Sequence, residues 1–191
     1  MRTLQQPLFT PETEWVPPDR LPDLSSHLEI AIDLETRDPN LITMGSGSVR
    51  RDGEIVGIAV AVEGWSGYFP IAHEGGGNMD RGLVLDWFEE LLQTTSTKIF
   101  HNAMYDVSWI RSMGFYINGG IIDTMIAASL IDENRWSFTL DSVGKDYIGM
   151  RKNEKLLQDA AKDFGVNPKA ESYCVKEKNK SLMGRKHETN N

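Results

Sequence analysis

The chain has 191 residues, 40 % of them hydrophobic and 25 % charged, which excludes a disordered or fibrous protein and fits one domain with a short arm or tail. A formal charge of −8 argues against a protein that holds duplex DNA by covering phosphates with lysines, but not against a nucleic-acid enzyme whose clustered carboxylates hold cations. Cys174 is the single cysteine, so no intrachain disulfide can form; Met1 is followed by no apolar signal region, no apolar run has membrane-spanning length, and the chain reads as cytosolic with no membrane partner.

Residues 1–26 hold Pro7, Pro11, Pro17, Pro18 and Pro22, a density that blocks helices and sheet ladders, so an extended arm anchored by Trp15 is expected. The apolar run Leu28–Glu35 predicts a strand near the middle of a sheet. Gly45, Gly47 and Gly53 then punctuate a loop. Ile55–Val62 predicts a second buried strand, and Gly67–Ala72 a third after the break at Gly64. Two short connections between three strands imply an antiparallel meander.

Helices and strands alternate from there. Leu83, Val84, Trp87, Phe88, Leu91 and Leu92 recur at helical spacing. Residues 98–101 predict a strand, followed by a helix that Asn102 can cap and that ends near Gly114. Residues 120–123 predict a last short strand before a helix over 124–131, with further helical segments around 139–148 and 153–164. A meander followed by this alternation predicts an α/β fold, a mixed sheet flanked by helices in ribonuclease H-like order. The domain is expected over residues 27–165. Residues 166–191 lose apolar periodicity, carry Lys176, Lys178, Lys180, Arg185 and Lys186, and read as an irregular basic tail.

Asp33 and Glu35 lie two apart on the first strand, so both carboxylates fall on one face, about 6–7 Å apart along the strand. They could share a metal ion, or they could be the exposed end of a strand running into solvent. Asn102 and Asp106 share a helix face one turn apart, just after the fourth strand. They could be an ordinary cap and a surface acid. With the meander first, however, the fourth strand lies beside the first, and Asp106 then approaches Asp33 and Glu35. Three converging carboxylates call for hard cations with oxygen ligands, Mg2+ or Mn2+.

Asp33-Leu34-Glu35-Thr36 resembles the first motif of the DEDD 3′–5′ exonucleases, and His101-Asn102-Ala103-Met104-Tyr105-Asp106 the second. The wording is similar to proofreading domains of family A, phage-type DNA polymerases. The likeness continues through Pro70–Asn78, Ile122–Met125, Leu140–Val143 and Tyr147–Gly149. The resemblance implies a two-metal site that hydrolyses the 3′-terminal phosphodiester of single-stranded DNA, with Asp33, Glu35 and Asp106 as metal ligands. It implies that Thr36, Asn102 and Tyr105 line the substrate cleft, that a polymerase domain or subunit is a partner, and that a phage-encoded chain works in the host cytoplasm.

The family also carries a third motif, Tyr-x-x-x-Asp or His-x-x-x-Asp, and none follows Gly149. Tyr173–Glu177 has the spacing but ends in Glu; Asp159 and Asp163 have no aromatic or His partner four residues before them. The family pattern is therefore expected to stop near Ala170-Glu171, as in a chain cut short or shifted in frame. An inactive nucleic-acid-binding module stays open as the alternative. His73 beside Gly75–Gly77 reads as a turn or a phosphate loop, Asp123 as a helix-start acid, and Trp65, Trp87, Trp109 and Trp136 as core or rim packing.

Overall fold

The computed structural model describes residues 16–74 and 77–151. Trp15 and the first part of the arm, the predicted helix over 153–164, the basic tail and every candidate for the third motif lie outside them. The chain divides into two compact units, Met1–Val143 and Gly144–Asn191, and only 144–151 of the second are described.

The first unit is built on a five-stranded mixed sheet in the order β3-β2-β1-β4-β5, with β1 Glu29–Arg37, β2 Glu54–Val62, β3 Trp65–Pro70, β4 Thr97–Phe100 and β5 Ile121–Asp123. The first three strands pair antiparallel and form the predicted meander; β4 and β5 join in parallel after helical crossovers. The β2–β3 hairpin turns through Gly64 at φ +78°, a conformation that glycine alone adopts cheaply. This is the ribonuclease H-like arrangement that the order of elements predicts.

Alternation along β1 decides the two faces of the sheet. Ile30, Ile32 and Leu34 are buried with Ile58, Val60, Phe69 and Phe100. They pack under α3 (Arg81–Gln93), through Val84, Phe88, Leu91 and Leu92, and under α4 (Ala103–Ser112), through Trp109 and Ile110. α3 starts where the Asp80 side chain accepts the Leu83 N–H at 2.9 Å. The second face carries Ala31, Asp33, Glu35, Ala59, Ala61 and Tyr68, all exposed or only half-buried. α5 spans Thr124–Ile131, as predicted, and α6 spans Leu140–Ile148.

Three expectations change. The glycine-punctuated stretch after β1 is not a plain loop: it holds two single-turn helices, α1 Leu41–Met44 and α2 Gly47–Arg50. Asn102 occupies the N-cap position of α4 with φ +67° but makes no side-chain cap. Trp136 packs neither core nor rim and is fully exposed, whereas Trp109 is buried and Trp87 Nε1 donates to the Pro22 carbonyl at 2.8 Å.

Candidate active site

β4 pairs with β1 only from Glu29 to Ala31, so the β1 edge beyond that point is open on the β4 side. α4 follows β4 directly, and its first turn presents Asp106 to that edge. Asp106 Oδ1 accepts the Leu34 N–H at 2.9 Å, and the residue is 3 % exposed. Burial pushes the Asp106 carboxyl up to about 6, the Leu34 hydrogen bond opposes this, and the charges of Asp33 and Glu35 add to it. Burial and neighbouring charges of the same sign both disfavour the ionised form of an acid. The Asp33 and Glu35 side chains sit at exposed positions of β1, flanking Leu34 in sequence.

Thr36 and Tyr105, the next pair expected at the site, touch: Thr36 Oγ1 and Tyr105 Oη are 2.6 Å apart. Tyr105 Oη also donates to Asp38 Oδ2 at 3.5 Å, and the same oxygen accepts the Gly47 N–H at 2.8 Å. This ties the α1–α2 segment to Tyr105 on α4. Asn102 is held differently. Its backbone N–H donates to Asp123 Oδ1 at 3.0 Å, and the Ala103 N–H donates to Asp123 Oδ2 at 2.8 Å. Asp123 Oδ1 also caps α5 through the Met125 N–H at 2.9 Å. Asp123 therefore positions backbone at the starts of two helices. Against the burial that raises it, these N–H groups keep its carboxyl below the usual value.

Two residues near these acids had no place in the sequence reading. Asp38 is one; Tyr68 on β3 is the other, and the only local signal for it was Gly57 inside a strand, a mark of close approach by another group. A cleft of about 540 Å3 opens on this second face, floored by Ala31, Ala59 and Ala61 and edged by Asp33, Tyr68 and His101.

Asp33, Glu35 and Asp106 offer oxygen donors only, and their mutual repulsion is the kind that a divalent cation relieves. Among the described residues, no three His, Cys, Asp or Glu side chains close around a space for one ion. Three acids that do not enclose one ion could hold it only with further oxygen ligands from outside these side chains. Also among the described residues, no helix is long and apolar enough to cross a membrane.

Residues 17–174 match the family model described as 3′–5′ exonuclease of DNA polymerase A. The chain is 36 % identical over 183 residues to a DNA-directed DNA polymerase of Pseudomonas phage M6, covering 92 % of this chain and 28 % of that protein. It is 27 % identical over 146 residues to DNA polymerase DpoZ of Salmonella phage PMBT28, covering 75 % and 21 %. Against DNA polymerase I of Borreliella burgdorferi the identity is 28 % over 138 residues, covering 72 % and 14 %. The chain thus spans at most 28 % of these relatives' length. Among solved structures, Brucella melitensis NrnC superposes with a TM-score of 0.51 at 19 % identity, covering 68 % of this chain and 58 % of that one, a likeness of fold.

Proposed function

Because the chain belongs to the 3′–5′ exonuclease domain family of DNA polymerase A, we propose that it removes nucleotides from the 3′ end of single-stranded DNA, as the proofreading part of a polymerase, with two Mg2+ or Mn2+ ions. The observation that carries this reading is Asp106, buried and pinned by the Leu34 N–H between the two acids of β1. When bound, the ions would supply an activated water and charge stabilisation at the scissile phosphate. Asp33, Glu35 and Asp106 would hold them.

The protein's own side chains set the rest. Tyr105, fixed by Thr36 and Asp38, forms a firm wall against which a terminal base could stack without regard to its identity. Asn102, exposed on its left-handed backbone, would present its amide beside that wall. The product would be a deoxynucleoside 5′-monophosphate. The natural partner is a polymerase domain or subunit, which would feed the 3′ end to this site.

A second reading starts from residues 150–191, which hold no Tyr-x-x-x-Asp or His-x-x-x-Asp. On that reading the chain binds single strands without cutting them. Release of nucleotides from a 3′-labelled single-stranded oligonucleotide, with Mn2+ or Mg2+ and an Asp33→Ala control, separates the two. Cleavage that disappears in the control supports the exonuclease. Folded protein that binds the oligonucleotide and never shortens it supports the second reading.

A further inference from the structure

Gly57 stands opposite Glu35 in the β1–β2 ladder. A Cβ on Gly57 would lie 1.9 Å from the Tyr68 hydroxyl oxygen and 2.3 Å from Cζ. The phenol of Tyr68 therefore crosses from β3 over β2 and occupies the space that any other residue at 57 would fill. Directly opposed residues have Cβ positions about 4.5–5.5 Å apart, so the phenolic oxygen and Glu35 share one small region of the second face.

The phenol is also braced from behind. Tyr68 Oη and His73 Nε2 are 2.5 Å apart, with the rings edge to face at 5.8 Å between centroids. His73 is fixed in turn by Asn78, whose Oδ1 accepts the His73 N–H at 2.8 Å and whose Nδ2 donates to the His73 carbonyl at 2.8 Å. A tyrosine phenol is an O–H donor at neutral pH. With its proton on Nε2, His73 donates to Tyr68 and leaves the phenolic O–H to point toward Glu35.

We propose that Tyr68 is a positioning residue for Glu35: its hydroxyl, admitted by Gly57 and braced by His73, orients the Glu35 carboxylate toward a divalent cation. The inference rests on the exonuclease reading above and adds a residue to its site. Groups that orient a ligand from behind change metal affinity or activity by about 10–100-fold when removed.

The test is Mn2+ binding to the full chain, followed by the electron paramagnetic resonance signal of free Mn2+, for the parent, Tyr68→Phe, Glu35→Gln and the double variant. Tyr68→Phe is expected to weaken Mn2+ binding about 10-fold, and to change nothing further in the Glu35→Gln background. His73→Gln keeps the phenol but removes its brace, and is expected to weaken binding by less; it also carries the test should Tyr68→Phe lose its circular-dichroism signature. Parent-like Mn2+ binding by both Tyr68→Phe and His73→Gln overturns the inference alone, as does a loss of equal size with Glu35→Gln already in place. A parent chain that binds no Mn2+ overturns the two-metal reading and the inference with it.

Discussion

The backbone N–H of Leu34 donates to Oδ1 of Asp106 at 2.9 Å, a bond between residues 72 apart in the chain. It satisfies a donor that β4 leaves unpaired, since the β4 ladder stops at Ala31. The same bond carries a carboxyl group to a strand position flanked by two others. One hydrogen bond thus links strand-edge satisfaction to the assembly of the acidic cluster.

Asp106 should make the protein less stable as pH rises from the ordinary carboxylate value of 3.8 to about 6. The sign follows from linkage: within that window the folded state keeps a proton that the unfolded state has released, and above it the penalty is complete. Its size is roughly 1–3 kcal/mol. Asp106→Asn keeps an oxygen for the Leu34 N–H and removes the charge. Urea unfolding at pH 4, 5, 6 and 7 in EDTA should show the variant gaining on the parent across this window. A constant difference between the two proteins would mean that Asp106 titrates as an ordinary acid.

Asp123 acts in the opposite sense. Its two oxygens accept N–H groups from Asn102 and Ala103 at the start of α4 and from Met125 and Ile126 at the start of α5. With its carboxyl below the usual value, its contribution is present above the unfolded value and is lost as pH falls through the lower folded one. Asp123→Ala should cost about 1–3 kcal/mol at pH 7, since it removes a cap and strands the α4 donors. Asp123→Asn should recover the Oδ1 bonds and part of that loss. Equal midpoints for the Ala variant and the parent would show that water replaces the carboxylate fully.

Local pattern made the sheet legible and left the connections between its parts hidden. An apolar run predicts β1, helical spacing predicts α3, and the meander order puts β4 beside β1, from which the approach of Asp106 follows. The bounds of α5 were readable because Asp123 caps it locally. Helices α1 and α2 were not, since Ile42, Met44 and Val49 are exposed and make no apolar stripe. They are held instead by Asp38, whose carboxylate takes the Gly47 N–H and lies by Arg50. Asn102 looked like its own cap because Asn favours that position, while the acceptor for its helix comes from 20 residues away. Tyr68 was invisible for a similar reason: its partners are on β1, β2 and the segment after β3.

Gly57→Ala should be destabilising despite the general preference of strands for a side chain over glycine. The new methyl would overlap Tyr68 Oη, Cζ and Cε2, at 1.9, 2.3 and 2.6 Å. Overpacking of this kind costs about 1–3 kcal/mol. The same change made in a Tyr68→Ala background should cost much less, because the overlapping group is gone. A double-mutant cycle by urea unfolding reads the coupling. Additive costs would mean that the methyl strains the β2 backbone rather than the phenol.

Lys98→Met should also destabilise the protein, although it replaces a buried cation with an apolar chain of similar length. Lys98 on β4 is fully buried, and its Nζ donates to Thr94 Oγ1 at 3.0 Å and to the carbonyls of Ser96 and Asn118 at 3.1 and 3.0 Å. Those contacts join the end of α3 to the approach to β5 and so hold β4, which delivers α4 and Asp106 to the β1 edge. Methionine leaves the carbonyls without their donor, at a cost of roughly 1–3 kcal/mol. Burial holds the Lys98 ammonium below its usual 10.5, so the parent gains stability as pH rises through the window between its folded and unfolded values. The gap between parent and variant should therefore widen from pH 7 toward pH 10 in urea titrations. A gap that narrows would mean that the charge itself, rather than the donor geometry, supplies the stabilisation.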